Sequence, residues 1–315
     1  MMKFGLGNQD LDAWSSIWSS IWPSIWSSIW RTAAVAAVAG LCACSPQSLL
    51  VRAAADQLAG QGQADEEDLL LARDASAFYL KLSESVLRQT PGHLALAEAV
   101  AGGFTQYAYA FIELEADRIE STDAKAAQRL RKRAARLYAR AHRHAMAALE
   151  QHRPGFADAL AGTATALQLP ADQVGVAYWA AAAWGACIAL SKDQPDAVAD
   201  LPRAIALARL AWARDPDHGD GALASLMGSF EAARPGGSMR QAEAYFDRAI
   251  AASAGRSAGP WVAKAETLAL AAGDRADFEA MLRQAISIAT GHPSLANALM
   301  RERAQWLLDS ADDRF

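Results

Sequence analysis

Leu201-Pro-Arg-Ala-Ile-Ala-Leu-Ala-Arg-Leu-Ala-Trp-Ala-Arg-Asp-Pro216 sets the architecture of this chain. Ala204, Ala208 and Ala211 stand four and three residues apart, so one face of a helix is apolar and almost without bulk. A second helix can approach such a face closely. Asp215-Pro216 ends the helix, because proline has no N–H for the next hydrogen bond. The arrangement recurs upstream as Ala134, Tyr138 and Ala141, and downstream as Ala242, Phe246 and Ala249.

On either side of these segments, apolar residues recur at three and four throughout the body, with no alternation of the strand type. The pattern predicts helices over 48–59, 66–89, 93–120, 123–151, 171–191, 199–214, 219–233, 238–253, 260–272, 274–289 and 293–311. Proline–glycine breaks separate them at Thr90-Pro91-Gly92, Arg153-Pro154-Gly155, Asp215-Pro216-Asp217, Arg234-Pro235-Gly236-Gly237 and Gly291-His292-Pro293. Helix pairs with small residues at the crossings are the mark of a tetratricopeptide-like (TPR-like) unit of about 34 residues. The expected fold is therefore all-α, an α-solenoid of divergent TPR-like helix pairs over 66–315, with 45–65 as linker and first helix. Irregular spacing between units makes the repeats divergent.

The chain has 315 residues, is 52% hydrophobic and carries a formal charge of −5, which is globular and argues against a dedicated nucleic-acid binder. Cys42 and Cys44 lie near the N-terminus, leaving Cys187 alone in the body, so no internal disulfide framework is expected. Residues 1–44 read as a signal segment: Arg31, then an apolar run from Thr32 to Ala43 too short to span a bilayer, then Leu41-Cys-Ala-Cys44. Upstream, Trp14, Trp18, Trp22, Trp26 and Trp30 recur every fourth residue with isoleucines between them. That repeat has no functional reading, and an uncleaved membrane anchor is the rival interpretation of the whole segment.

Leu41-Cys-Ala-Cys44 resembles the bacterial lipobox, which implies lipidation of Cys44 and anchoring to a membrane. Ser45 after the cysteine, in place of Asp, favours the outer membrane by the same resemblance. Across the body, Gly103-Phe-Thr-Gln-Tyr-Ala-Tyr-Ala-Phe-Ile-Glu113, Tyr178-Trp-Ala-Ala-Ala-Ala-Trp-Gly185 and Ser191-Lys-Asp193 form one part of a wider likeness. Asp215-Pro-Asp-His-Gly-Asp-Gly-Ala222, Arg234-Pro-Gly-Gly237, Ala244-Tyr-Phe-Asp-Arg-Ala249 and Trp306-Leu-Leu-Asp-Ser-Ala-Asp-Asp-Arg-Phe315 complete it. In order and spacing these resemble the T component of TPR-associated TRAP transporters over residues 66–315. The resemblance implies a non-enzymatic periplasmic lipoprotein of an ion-gradient-driven uptake system. It further implies homo-oligomers such as trimers, association with the solute-binding component, and delivery of an organic ligand, with no cofactor and no metal.

Among the residues with chemistry, Tyr107, Tyr109 and Trp179 are expected on a ligand-contacting wall, since each joins an apolar body to a polar tip. Lys192, Asp193 and Asp220 are the polar candidates beside it, Asp220 with a capping role as its structural alternative. Trp184 is expected in the core. His142 and His144, two apart, face different ways and suit a surface role better than metal ligation. The basic run from Arg129 to Arg143 reads as a solvated face that Glu113, Glu115, Asp117 and Glu120 can partly pair, with docking to an acidic partner or anionic lipid as the functional alternative.

Two competing functions rest on other features. Gly255-Arg-Ser-Ala-Gly259 matches G-x-S-x-G, with Asp274 and His292 in hydrolase order, but Ser257 would need a strand-to-helix turn at a sheet. No sheet is expected, so catalysis is not. An envelope-assembly lipoprotein that binds peptide segments through its repeats is the other alternative.

Overall fold

The computed structural model describes residues 46–60, 68–162 and 167–315. The signal segment, lipidation at Cys44 and the Trp14–Trp30 repeat lie outside the described residues. By contact the chain divides into residues 1–52 and 53–315. Of the first unit, the opening of helix α1, Pro46–Gly60, is described.

The second unit is helical throughout its described residues, which contain no strand. Its helices follow the predicted segments closely. They are α2 (Leu69–Leu87), α3 (Leu94–Ala108, a π-helical turn at Tyr109–Glu113, then Leu114–Ile119), α4 (Ala124–His152) and the short α5 (Phe156–Ala161). Next come α6 (Val174–Ala189), the short α7 (Pro195–Ala199), α8 (Leu201–Arg214), α9 (Ala222–Ala233) and α10 (Met239–Ala252). The last are α11 (Gly259–Lys264, a π-helical turn at Ala265–Ala269, then Leu270–Ala272), α12 (Arg275–Gly291) and α13 (Leu295–Asp309). Helices α5 and α7, each about a turn long, are absent from the sequence reading because a single turn carries too little periodicity.

Starts are set by side chains that accept otherwise orphaned backbone N–H groups. Asp68, Asp123, Ser238, Asp274 and Ser294 do so for α2, α4, α10, α12 and α13. The Arg234-Pro-Gly-Gly237 turn has its own clasp. Buried Glu231 accepts from Arg234 Nε (2.7 Å), Arg234 Nη2 (2.6 Å) and the Ser238 N–H (2.9 Å).

Four antiparallel pairs, α3–α4, α6–α8, α9–α10 and α11–α12, stack in order. The small-residue faces lie where the helices cross: Ala134, Ala141, Ala204, Ala208, Ala211, Ala242 and Ala249 are completely buried, with Tyr138 and Phe246 filling the gaps between them. First helices also touch first helices, α3 to α6, α6 to α9 and α9 to α11, so they form a continuous layer. The apolar core is segmented. One cluster runs from α1 to α9, a second is confined to α11–α13, and a small third joins α3 to α4 around Ile112 and Tyr138.

Trp184 packs against the main cluster as expected, its ring 4.4 Å from that of His142. The histidines do face different ways, His142 Nδ1 toward the Ala180 carbonyl (3.1 Å) and His144 Nε2 toward Glu84 (2.8 Å). Both are partly covered, so the surface role expected for them gives way to structural contacts, because α6 and α2 close over α4 on opposite sides. Cys187 is a partly buried free thiol whose Sγ lies 3.5 Å from the Ala135 carbonyl.

One set of contacts departs from nearest-neighbour stacking. Helix α13 returns to α2, and Arg118 on α3 pairs with Glu302 on α13 at 2.9 Å. Repeat arrays ordinarily join only adjacent units. Here the end of the unit meets its beginning.

Candidate functional site

The layer of first helices carries the polar and aromatic groups that packing leaves partly open. On α3, Glu98, Gly102, Tyr109, Glu113 and Asp117 follow helical spacing along one side. The π-turn at Tyr109–Glu113, closed by the Leu114 N–H to the Tyr109 carbonyl, inserts one extra residue and re-aims the side chains after it. Helix α11 has the same device, closed by the Leu270 N–H to the Ala265 carbonyl. Such bulges cost regular hydrogen bonding and are frequent at functional sites.

The second π-turn and the helical segment that follows the first meet the same arginine. Arg303 on α13 donates to Asp117 Oδ2 (3.0 Å) and Glu266 Oε1 (2.6 Å), and its guanidinium lies over the Trp306 ring at 4.6 Å. Arg131 on α4 reaches Asp117 Oδ1 (3.0 Å) and Glu120 Oε1 (2.5 Å) from the other side. The Tyr138 hydroxyl donates to Glu113. Burial raises the Glu113 carboxyl more than the Tyr138 hydrogen bond lowers it. Burial, reinforced by the charge of Glu266, pushes the Tyr109 phenol above its ordinary range. Burial works to lower the Arg303 guanidinium, but Glu266, Tyr109 and Asp117 overcome it and keep the charge in place.

A second group lies where α3 faces α6. Tyr178 and Trp179 contact edge to face at 4.8 Å, and Tyr178 sits 5.5 Å from the His218 ring. A Cβ at Gly102 would stand 2.8 Å from the Trp179 ring, and one at Gly175 would strike the Glu98 carboxylate. Both positions admit only glycine if these side chains stay where they are. Burial raises Glu98 against the opposing charge of His218, and pushes the Tyr178 hydroxyl up to about 12. Together the two groups offer half-buried aromatic faces, neutral phenols and carboxyls held toward protonation. Chemically this suits an organic molecule with an apolar body and a few hydrogen-bonding groups.

Of the residues expected at a ligand wall, Tyr109 belongs to the first group and Trp179 to the second. Tyr107 is partly buried, packs against two of the core clusters and lies edge to face with Phe111 at 5.3 Å, so it joins neither group. Lys192 and Asp193 are exposed in the turn after α6 and join neither group. Asp220 is exposed at φ 51°, 3.7 Å from Arg256, and Gly221 rather than Asp220 occupies the cap position of α9. Sequence reading did not select Glu98, Glu113, Tyr138, Glu266 or Arg303 as site residues. Their partners lie up to 186 positions away, so no local spacing reveals them.

The G-x-S-x-G segment is a joint between helices. Asn297, buried at the start of α13, accepts from the Ala258 N–H (3.0 Å) and donates to the Arg256 (2.8 Å) and His292 (2.7 Å) carbonyls. The Asp274 carboxylate caps α12 at the Asp277 N–H (3.0 Å). Ser257 has no strand beneath it, so the geometry of a nucleophile elbow is missing.

The family model described as "TRAP transporter T-component" matches residues 65–315, which takes in helices α2 to α13. The chain belongs to the TRAP transporter T-component family. A relative of this T-component chain by sequence is an uncharacterized protein of Treponema pallidum (strain Nichols), 28% identical over 266 residues, covering 80% of this chain and 81% of that protein. Among solved structures, a thermophilic TPR protein of Thermus thermophilus aligns with a TM-score of 0.45 at 17% identity, over 76% of this chain and 93% of that one. T-component membership supports an accessory role in a TRAP transporter system on its periplasmic side. No helix among the described residues is long and apolar enough to cross a membrane.

Proposed function

We propose that this chain is a periplasmic, lipid-anchored accessory protein of a TRAP-type uptake system that binds the solute-binding component and passes an organic ligand along its layer of first helices. The observation that carries the reading is the family match over the entire repeat body. Two structural features support it. The Tyr109–Glu113 and Tyr178–Trp179 groups give the layer a mixed aromatic and polar lining. Helix α2 turns Leu70, Leu71, Phe78, Tyr79 and Leu82 outward, Phe78 at 68% exposure. Contiguous exposed apolar side chains of this size mark protein-binding surfaces, and a solute-binding partner is the occupant this family supplies. Self-association into a homo-oligomer, with a trimer as the expected form, belongs to the same proposal, as does anchoring through Cys44, with the outer membrane favoured.

The test is co-purification of the full chain with a solute-binding protein of a TRAP system from the same cell, together with native mass measurement. Retention by the parent chain, and loss in Phe78→Asp/Leu82→Asp with the fold intact by circular dichroism, is the expected result. Recovery of envelope-assembly proteins alone, with no solute-binding protein, would overturn it.

A further inference from the structure

Helix α4 carries an asymmetry that the uptake reading leaves unused. Residues 124–149 hold eight Lys or Arg and no acid, in a chain whose formal charge is −5. At 3.6 residues per turn, Lys125, Arg129, Lys132, Arg133, Arg136, Arg140 and Arg143 fall within a sector about 100° wide, running about 27 Å along the helix. The opposite side, Ala127, Ala134, Tyr138, Ala141, Ala145 and Ala148, is buried against α3 and α6. The stripe therefore points away from the packed body.

Four acids close to α4 are engaged elsewhere or by Arg140 alone among the stripe. Asp117 and Glu120 pair with Arg131, which lies outside the sector, and Glu113 accepts from Tyr138. Glu84 takes Arg140, the one stripe member with an ion pair, and also gathers His144, Lys81 and Arg88. Lys125, Arg129, Lys132, Arg133, Arg136 and Arg143 are exposed and form no ion pair among the described residues. Lys81 and Arg88 on α2, both more than half exposed, widen the positive area beyond a single helix at its Arg140 end.

We infer that this face is a docking surface for anionic phospholipid headgroups. A protein interface core is depleted in charge and anchored by aromatic side chains or methionine, and the stripe has neither property. Single-stranded nucleic acid calls for stacking aromatics, which are also missing from it. A straight, exposed row of unpaired cations flanked by two more suits a flat layer of phosphates, to which each cation adds about fivefold in partition. The inference rests on the geometry of α4 and is independent of the TRAP partner.

The experiment is co-sedimentation of the full chain carrying Cys44→Ser, so that no acyl chain contributes, with phosphatidylcholine vesicles or with the same vesicles doped with phosphatidylglycerol. Expected are preferential binding to the doped vesicles, loss of that preference in high salt, and a drop of about 600-fold in Arg129→Gln/Lys132→Gln/Arg136→Gln/Arg143→Gln. A charge-matched control, Arg209→Gln/Arg214→Gln/Arg240→Gln/Arg301→Gln, should bind like the parent. All eight positions are exposed, so both variants should fold. Equal binding to the two vesicle types, an equal loss in the control, or tighter binding to duplex DNA than to the doped vesicles would each overturn the inference.

Discussion

Replacing Glu84 by glutamine removes the one negative charge shared by Arg140, Lys81 and Arg88 and hydrogen-bonded to His144. The carboxylate is 1% exposed and accepts from Arg140 Nε and Nη2, and meets His144 Nε2 at 2.8 Å, Lys81 Nζ at 2.8 Å and Arg88 Nη2 at 3.2 Å. Removing one partner of a buried pair costs about 3–5 kcal/mol. Lys81 and Arg88 are 58% and 63% exposed, so solvent screens their share to almost nothing. Arg140 and His144, at 28% and 21%, are better sheltered. The expected loss is then about 2–3 kcal/mol, or about 5–10 °C in Tm for a unit of this size.

The pH dependence carries a sign. Burial works to raise the Glu84 carboxyl, but hydrogen bonds from Arg140, Lys81 and His144 outweigh it and hold the group well below the usual carboxylate range. A depressed folded value gives stability that is fully present above the unfolded value near 4.3 and is lost as pH falls toward the folded one. The gap between parent and Glu84→Gln in urea midpoint should therefore be open at about pH 7 and narrow below about pH 4. A double-mutant cycle with Arg140→Met assigns the coupling to that pair. A Tm change under about 1 °C at neutral pH, or a gap that widens in acid, would refute the reasoning.

Glu113 should behave oppositely. Burial raises its folded value, so its contribution is present below the unfolded value and is lost as pH rises through the folded one. Thermal melts of Glu113→Gln against the parent at about pH 5 and pH 8 should shift in the variant's favour at the higher pH. Gly102→Ala drives a methyl to within 2.8 Å of the Trp179 ring and should lower stability by about 1–3 kcal/mol in urea titrations. Phe246→Ala empties a completely buried site between α9 and α10 and should cost about 3–5 kcal/mol, whereas Met239→Ala at the exposed start of α10 should stay within about 0.5 kcal/mol. Ser257→Ala should leave both the melting curve and the rate of small-ester hydrolysis at the parent level, since Ser257 sits in a helix joint held by Asn297.

Much of this architecture is written locally. The alanine faces at Ala204–Ala208–Ala211 and Ala242–Phe246–Ala249, and the caps at Asp123, Ser238 and Ser294, each depend on residues within one or two turns. The same locality explains why Tyr109 and Trp179, bulky groups of mixed character on first helices, are legible as candidates. It equally explains why Lys192 and Asp193, chosen for their position after α6, join neither group. A turn fixes where a side chain begins, but the neighbouring pair fixes what it meets.

Helix limits, pairing and the small-residue crossings can be read from the chain alone, because each depends on hydrogen-bonding capacity and side-chain bulk over a few consecutive residues. Three meetings emerge only on folding: Arg303 lies between Asp117 and Glu266, Glu84 gathers Arg140, Lys81, Arg88 and His144, and α13 returns to α2. Each joins residues far apart in the sequence, so it depends on how all the intervening helices pack. Each packing is set by how side-chain bulk fits between two rods, and no single segment of the chain encodes the result.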